Sequence, residues 1–433
     1  MVDSNKYFNK KTLKDYDLAG KTVLVRVDYN VPISQGRISD DYRVEQSLDT
    51  INYLLKNNCR IVLIAHLGRP KSNLDQDCSL KIVLPVLKKL LPKTEILFAK
   101  DCIGPIRNKA VEKLQPRQIL LLENLRYHKK EEANDSKFAE ELSQGMDLFV
   151  QDGFGVVHRA HASTSAITEY LPSISGLLLE REVVTIRSLI ADPPRPLMAI
   201  IGGAKIMDKI ELINIFIDLA DIVVIGGAMA NTFLKAQNIN VGKSLYDKDE
   251  LAIARDILTK VEAKPTKDFN FVIPFDGVVS ETIASQSKIR IVDWDTHVIA
   301  EIENYPKRVP VVDTKLKANE RILDIGPFSG AFIAGLIQGV KSVIWNGTLG
   351  VTEVSPLQGD IGPFAHGTNL VIEALLGQFG HRPFSLVGGG DTAGYISSRG
   401  LNSAFDHVST GGGASLELMA MHKLPGVEAL LNK

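Results

Sequence analysis

The sequence predicts an α/β protein with two doubly wound parallel sheets, one in each half of the chain. Short apolar, β-branched segments alternate with longer segments of helical period from end to end, which is the order of strands and helices in βαβ units. Several short segments are apolar on both faces, as strands covered by helices on both sides must be. The length of 433 residues also exceeds what one hydrophobic core usually supports.

The predicted strands divide equally between the two halves. In the first half they are 21–27, 60–65, 95–98, 118–122 and 147–151. In the second half they are 197–201, 221–225, 270–273, 342–346 and 384–387. Periodicity between them predicts helices over 43–56, 79–91, 206–219 and 366–378. Each half therefore has enough strands for a sheet of its own.

The most plausible domain boundary follows a predicted helix over 177–191, which the prolines of 192–196 end. This stretch alone is equally typical of a helix and loop within one domain, but the strand count favours a connector. We therefore expect an N-terminal domain, an interdomain helix and hinge, a C-terminal domain and a final segment. Their ranges are 1–176, 177–196, 197–408 and 409–433.

The composition excludes several classes of protein. A net charge of -1 argues against a general binder of nucleic acid or membrane surfaces. Three scattered cysteines without metal-ligand spacing favour a reducing compartment. The N-terminal segment has no apolar region typical of a signal peptide, and no run of apolar residues is long enough to span a membrane. We expect a soluble cytoplasmic protein.

Basic and polar side chains follow four predicted strands of the first half, where open parallel sheets carry their functional groups. The segments are 28–32, 66–70, 123–128 and 152–161, and Arg43 begins the next helix. Converging cations repel one another, so such a group makes sense mainly around an anion, whose oxygens arginine binds two at a time. The pattern indicates a small ligand with phosphate, carboxylate and hydroxyl groups.

Glycine-rich segments follow strands of the second half and let backbone N–H groups approach an oxyanion. They are 202–205, followed by Lys209, then 226–228, 346–348, 388–392 and 409–415. No Walker A sequence occurs, but 388–393 matches GxGxxA, so a nicotinamide-dependent dehydrogenase is an alternative. Asp391 would repel a bare pyrophosphate, whereas Mg²⁺ held by this carboxylate would favour a nucleotide.

Taken together, these segments resemble the successive signatures of phosphoglycerate kinases, in family order over essentially the whole chain. They are 26–32, 66–70, 123–126, 158–161, 202–205, 388–392 and 409–415. The resemblance implies two Rossmann-like domains joined by a helix hinge in a monomeric, hinge-bending glycolytic enzyme. It also implies Mg²⁺-dependent phosphoryl transfer between 1,3-bisphosphoglycerate and ADP, which gives 3-phosphoglycerate and ATP.

The resemblance further implies a role for individual residues. Those expected to bind phosphoglycerate are Asp28, Asn30, Arg43, His66, Leu67, Gly68, Arg69, Arg126, His158 and Arg159. Those expected to bind the nucleotide are Gly203, Ala204, Lys205, Lys209, Gly227, Asn346, Glu353, Gly389, Gly390, Asp391 and Thr392. Asp391 would bind Mg²⁺, Glu353 would contact the ribose, and the last helix, about 413–433, would return to the N-terminal domain.

The sequence departs from the commonest family pattern at a few positions. Tyr29, Gly153 and Val156 lie near the expected phosphoglycerate site. Ala228, Thr348 and Thr352 border the expected nucleotide pocket. None of these replacements removes a phosphate-binding group.

The absence of a Ser-His-Asp or Cys-His arrangement agrees with the implied chemistry, in which the ionised carboxylate of the substrate attacks and needs no general base. Catalysis then consists of positioning and charge neutralisation. We expect Arg43 and Lys205, one from each domain, to flank the transferred phosphoryl after domain closure. A non-catalytic scaffold of the same fold is a further alternative and would lack one of the phosphate-binding groups.

Overall fold

The computed structural model describes residues 4–72, 75–264, 269–294 and 315–433. The chain divides into two compact units. Unit 1 comprises Met1–Ala191 and Thr410–Lys433, and unit 2 comprises Asp192–Ser409. The first division therefore falls directly after the helix Leu177–Ala191 and before the proline-containing segment.

The centre of unit 1 is a six-stranded parallel sheet with the order β5-β6-β4-β1-β7-β8. A short antiparallel hairpin, β2–β3, follows the first strand. The strands are β1 (Thr22–Arg26), β2 (Ile33–Ser34), β3 (Arg37–Ile38), β4 (Arg60–Ile64), β5 (Ile96–Ala99), β6 (Ile119–Leu122), β7 (Leu148–Gln151) and β8 (Ser173–Ser175).

Helices cover both faces of this sheet. They are α1 (Ser4–Tyr7), α2 (Tyr42–Gln46), α3 (Leu48–Lys56), α4 (Leu84–Leu90), α5 (Gly104–Glu112), α6 (Ser136–Ser143) and α7 (Leu177–Ala191). Successive residues of β1 alternate between two hydrophobic cores, since Val23 and Val25 belong to one and Leu24 to the other. A strand buried on both faces needs apolar residues at every position, which explains its continuous apolar sequence.

Unit 2 contains a second six-stranded parallel sheet, with the order β11-β10-β9-β15-β16-β17, and a three-stranded antiparallel sheet, β13-β12-β14. The strands are β9 (Leu197–Ile201), β10 (Ile222–Ile225), β11 (Asn270–Val272), β12 (Asp276–Ser280), β13 (Arg290–Asp293), β14 (Arg321–Ile325), β15 (Ser342–Asn346), β16 (Phe384–Gly388) and β17 (His407–Val408). The helices are α8 (Ile210–Leu219), α9 (Gly227–Ala236), α10 (Leu251–Glu262), α11 (Pro327–Ile337), α12 (His366–Leu375) and α13 (Gly390–Ser398).

The C-terminal segment of unit 1 carries two more helices, α14 (Gly412–Met419) and α15 (Pro425–Glu428). The buried Glu182 of α7 accepts hydrogen bonds from the backbone N–H and the hydroxyl of Thr410, at 2.7 and 2.8 Å. At the far end, Lys10 donates to the carbonyls of Glu428 and Leu430. These contacts hold the segment within unit 1.

Single turns of 3₁₀ helix connect several of these elements. They are Leu13–Asp15, Gln76–Cys78, Leu80–Val83, Leu125–Tyr127, Phe154–Val156, Ala166–Glu169 and Asn402–Ala404. Among the described residues, no helix is long and apolar enough to cross a membrane.

The predicted α/β class with two parallel sheets is confirmed, and every predicted strand has a counterpart. The predicted helix over 43–56 is interrupted at Ser47, and the one expected from 206 begins at Ile210. The sequence analysis missed the antiparallel sheet of unit 2 and the short edge strands β8 and β17. Two or three residues are too few for periodicity to reveal an edge strand.

Candidate active site

In unit 1, the four polar segments follow four strands that are neighbours in the sheet, β6, β4, β1 and β7. Because these strands are parallel, their carboxyl ends bring the segments to one edge, around a cavity of about 380 Å³. The lining residues are Asp28, Asn30, Arg43, His66, Gly68, Arg69, Arg126, Gly155, Val156, His158, Arg159, Gly412 and Gly413. Of the residues predicted to bind phosphoglycerate, Leu67 alone is outside this lining and packs in the core.

An ion pair organises the part of the cavity that follows β1. Arg43 Nη1 lies 3.1 Å from Asp28 Oδ2 and donates to the carbonyl of Asn30 at 3.0 Å. Asp28 is buried, whereas about a quarter of the Arg43 side chain is exposed, at 28%. Asp28 therefore orients Arg43 while the guanidinium keeps donors for a ligand.

The loop after β4 is held by two of the predicted residues. Asn30 Oδ1 accepts from the Gly68 N–H at 2.8 Å, and Arg126 Nη1 donates to the Gly68 carbonyl at 3.0 Å. Arg126 Nε also pairs with Glu132 at 3.1 Å. Arg69 and Arg159 are exposed at the cavity.

Both histidines of the cavity are held in the neutral form. Burial, followed by the charges of Arg26, Arg126 and Arg43, lowers the pKa of His66 well below its usual value. Burial and the neighbouring Arg159 lower the pKa of His158, whose Nε2 lies 3.1 Å from the Nε of that arginine. The positive charge of the cavity therefore comes from guanidinium groups, which remain charged at every physiological pH.

In unit 2, the glycine-rich loops follow β10, β9, β15 and β16, which are again four neighbours in one parallel sheet. A cavity of about 560 Å³ lies at this edge. Five predicted residues line it, namely Gly203, Ala204, Gly227, Glu353 and Asp391, together with Ala228 and Thr348. Of the other predicted residues, Lys205, Lys209 and Gly389 lie in the loops themselves, Asn346 is the last residue of β15, and Gly390 and Thr392 lie in the first turn of α13.

These loops pack backbone against backbone. A Cβ on Gly202 would lie 2.1 Å from the Thr348 carbonyl oxygen. Gly227 has a φ of +65°, and a Cβ there would lie 2.7 Å from the backbone of Gly203. No residue with a side chain fits at either position, because neighbouring backbone cannot move aside cheaply.

Two polar side chains lie among the loops. Lys209 Nζ donates to the carbonyls of Gly202, at 2.5 Å, and Asn346, at 3.2 Å. Burial lowers the pKa of Lys209 to about 8, against the opposing effect of Asp391. Asn346 is buried, and neither polar atom of its side chain has a hydrogen-bond partner among the described residues. A buried amide without partners is costly and indicates a position that a ligand completes.

The start of α13 has the chemistry of a site for Mg²⁺ and phosphate. The exposed Asp391 lies in the first turn of this helix, whose N-terminal N–H groups favour an anion. Mg²⁺ is typically held by one or two carboxylates together with phosphate oxygens, so the residues present fit the predicted cation. Thr392 accepts from the Gly347 N–H at 2.8 Å and ties this helix to the loop after β15.

A second group of potential metal ligands, Asp101, Cys102 and His128, lies in unit 1. His128 Nε2 is 2.8 Å from Asp101 Oδ1, so the two side chains already satisfy one another. Burial raises the pKa of Cys102 well above its usual value, which disfavours the thiolate that a metal needs. These contacts explain the cluster without a metal.

The structure corrects the grouping of one glycine-rich segment. The glycine pattern alone grouped 409–415 with the loops of the second half, whereas the family resemblance implied that the final segment returns to the N-terminal domain; Gly412 and Gly413 line the cavity of unit 1. Sequence reasoning also missed Glu250, a buried carboxylate that accepts from the N–H groups of Ile206 and Met207 at 2.8 and 3.1 Å. No motif marks Glu250, because its contacts lie more than 40 residues away in the chain.

Comparison with known proteins identifies the family. A phosphoglycerate kinase family profile matches residues 13–422. The chain belongs to the phosphoglycerate kinase family. It is 39% identical over 424 residues to the phosphoglycerate kinase of Pelotomaculum thermopropionicum, which covers 98% of this chain and 100% of that protein. It is 40% identical to that of Moorella thermoacetica, again over 98% of this chain and 100% of the relative.

Solved structures of the family share the fold. The phosphoglycerate kinase of Coxiella burnetii superimposes with a TM-score of 0.77 at 30% identity, over 97% of this chain and 98% of that one. The enzyme of Pyrococcus horikoshii gives a TM-score of 0.79 at 26% identity, with the same coverage of 97% and 98%. Both the sequence and the fold thus resemble the family along nearly the whole chain.

Proposed function

We propose that this chain catalyses the reversible transfer of a phosphoryl group between 1,3-bisphosphoglycerate and ADP, which gives 3-phosphoglycerate and ATP. One observation carries the proposal beyond family membership. Each unit has a cavity at the carboxyl ends of four neighbouring parallel strands, one lined by arginines and the other surrounded by glycine loops. A phosphotransferase with two anionic substrates needs two such cavities.

The arginine-lined cavity of unit 1 is the proposed phosphoglycerate site. Arginines match the oxygens of a phosphate or a carboxylate in pairs, and a phosphoglycerate carries both groups. We assign its anionic groups to Arg43, Arg69, Arg126 and Arg159, with His66 and His158 as neutral neighbours. We assign Asp28 and Asn30 to the hydroxyl group of phosphoglycerate, with the backbone of Gly68 beside that group.

The cavity of unit 2 is the proposed nucleotide site. Gly202 and Gly227 let the loops pack backbone against backbone beside this cavity, so its wall at Gly203 and Gly227 offers backbone groups to phosphate oxygens. Lys205 and Lys209 supply positive charge, and Asn346 supplies the amide that lacks a protein partner. We assign Mg²⁺ to Asp391 and the ribose to Glu353; when bound, the ion would neutralise the phosphates.

The chemistry requires no base from the protein, because the attacking carboxylate of 3-phosphoglycerate is already ionised. Arg43 and Lys205 are the proposed catalytic residues, which stabilise the equatorial oxygens of the transferred group. Transfer requires the two substrates to come into contact, so we propose that the domains close, with the hinge at 177–196. We further propose a cytoplasmic monomer with no nucleic-acid or membrane partner.

A coupled assay tests the proposal. The protein is mixed with 3-phosphoglycerate and MgATP, and glyceraldehyde-3-phosphate dehydrogenase with NADH reports the 1,3-bisphosphoglycerate formed. We expect NADH oxidation that requires 3-phosphoglycerate, ATP and Mg²⁺ together. Oxidation of NADH without ATP would support the dehydrogenase alternative, and binding of both substrates without turnover would support the scaffold.

A further inference from the structure

A buried row of hydrogen bonds lies beneath the cavity of unit 1 and ends at His66. Ser163 Oγ donates to Glu131 Oε1 at 2.6 Å, and Arg26 Nε donates to Ser163 Oγ at 2.9 Å. Arg26 Nη2 lies 3.2 Å from His66 Nδ1. All four side chains are buried, with exposed fractions of 0 to 4%. Among them, only His66 lines the cavity.

The direction of each hydrogen bond in this row is fixed by chemistry. Arginine has donors and no acceptor, so the Nδ1 of His66 must accept the bond from Arg26. A neutral imidazole that accepts at Nδ1 carries its proton at Nε2. The hydroxyl of Ser163 has one proton, which it donates in the hydrogen bond to the carboxylate of Glu131. The hydroxyl oxygen therefore acts as the acceptor for Arg26.

The two charged members of the row, Arg26 and Glu131, stabilise one another. Burial lowers the pKa of Arg26, and the charge of Glu131 is the largest of the effects that oppose this. Burial raises the pKa of Glu131, against the charge of Arg26 and the bonds from Ser163. Ser163 also donates its backbone N–H to Glu131 at 3.1 Å. Removal of one partner would leave a buried charge with poorer compensation.

The network is not explained by stability alone. A buried ion pair replaced by apolar residues of similar size is often neutral or stabilising, because burying two charges costs about as much as their attraction returns. What such a network does provide is a single orientation for each member, since Arg26 Nε, Arg26 Nη2 and Ser163 Oγ each donate to a different member of the row. The member that this orientation presents to the cavity is the imidazole of His66.

We propose that Arg26, Ser163 and Glu131 are positioning residues that hold His66 in the tautomer with its proton on Nε2. His66 then presents an N–H donor to a phosphoglycerate oxygen without adding a further charge among the arginines. Arg26 acts directly on the ring, and Ser163 and Glu131 act through Arg26. The assignment of the ligand rests on the proposed function, whereas the tautomer is a property of the free protein.

Nitrogen NMR of the histidine-labelled protein tests the tautomer without substrate. His66→Asn assigns the His66 signals by their loss. In the parent, we expect a neutral ring protonated at Nε2. In Ser163→Ala and Glu131→Gln, we expect a mixture of the two tautomers. Ser173→Ala is the matched control, because Ser173 is a similarly buried serine of unit 1 whose hydroxyl, within the described part of the chain, bonds only to the Leu171 carbonyl.

Steady-state kinetics of the same variants separates positioning from general damage. Loss of a well-oriented donor to a charged ligand is worth about 1.5 kcal/mol, or roughly tenfold in binding. We expect the KM for 3-phosphoglycerate to rise about three- to tenfold in Ser163→Ala and Glu131→Gln. The KM for MgATP and kcat should stay within about twofold of the parent. Ser173→Ala should change neither KM value and should leave kcat unchanged.

The proposal is overturned if His66 in the parent carries its proton on Nδ1, or if both variants keep the parent tautomer. It is also overturned if the KM values for the two substrates rise equally, which would indicate general destabilisation. If Glu131→Gln does not fold, Ser163→Ala alone decides, because a small side chain is removed without changing charge. An inactive parent with the expected tautomer would instead contradict the proposed function.

Discussion

The two cavities occupy the same place in two similar sheets, but their walls differ in kind. In unit 1 the anion would meet side chains, and Arg43 and Arg126 are each held by a carboxylate. In unit 2 it would meet backbone, brought close by glycines such as Gly202 and Gly227 that exclude a side chain. The parallel sheet determines the position of each cavity, and the loops after its strands determine whether side chains or backbone groups would contact an anion. Unit 1 should therefore be sensitive to lost side chains, and unit 2 to added ones.

The largest expected effect concerns the two proposed catalytic residues, one from each unit. Arg43→Ala and Lys205→Ala should each lower kcat by about 10²–10³, because each removes a positive charge from the developing charge of the transferred group. Lys205 is thus one of the points at which unit 2 depends on a side chain. Steady-state kinetics in the coupled assay measures both, with the exposed Lys81→Ala as a control. A kcat within a few-fold of the parent would remove that residue from the mechanism.

The next effect tests the sensitivity of unit 2 to an added methyl group. Gly202→Ala places its Cβ 2.1 Å from the Thr348 carbonyl oxygen, so the loops must separate. We expect the binding free energy of MgADP, measured by calorimetry, to weaken by about 1–3 kcal/mol. The binding of 3-phosphoglycerate should be unchanged.

Gly335→Ala is the matched control for this substitution. Gly335 lies within α11, and a Cβ there meets nothing within 4 Å. Alanine should be tolerated or slightly stabilising in the helix. Equal losses of MgADP binding in both variants would contradict the proposed backbone site.

Sequence reasoning succeeded where the physical rule is local or topological. Apolar periodicity predicted the strands, and the rule for parallel sheets predicted that segments after β1, β4, β6 and β7 would converge. It could not place Gly413 beside His158, because that contact joins residues over 250 positions apart. The partners of Arg26 escaped prediction for the same reason, since nothing in the local pattern pairs it with Glu131 or Ser163.

A smaller effect is expected on the pH dependence of stability, because each unit contains a buried carboxyl group with a raised pKa. Burial raises the pKa of Asp152 in unit 1 to about 7 and that of Asp324 in unit 2 to about 8. Each accepts backbone N–H bonds: Asp152 from Leu178 at 3.0 Å, and Asp324 from Gly367 at 2.9 Å. Because the pKa is higher in the folded state, the folded protein binds the proton more tightly than the unfolded chain.

The stabilisation from each proton is therefore full below about pH 4 and is lost as the pH rises through the folded pKa. Urea unfolding should show a decrease in the free energy of unfolding between about pH 6 and about pH 8, to which each group contributes on the order of 1–2 kcal/mol. Asp152→Asn and Asp324→Asn keep the acceptor oxygen and should each reduce that decrease. The pH range over which Asp324 loses its contribution should extend about one pH unit higher than that of Asp152. An unchanged profile in both variants would show that neither group titrates there.

The smallest expected effect concerns Glu250, whose side chain would support the proposed backbone site of unit 2. Its carboxylate accepts from the N–H groups of Ile206 and Met207, directly after the loop that carries Lys205. Glu250→Gln keeps one acceptor oxygen and replaces the other with a donor, so one of the two bonds is lost, at a cost of about 1 kcal/mol. We expect the KM for MgATP to rise about three- to fivefold and the KM for 3-phosphoglycerate to stay constant. Glu262→Gln, at an exposed position of α10, should change neither. A rise in the KM for 3-phosphoglycerate alone would show that this carboxylate does not act through the nucleotide loop.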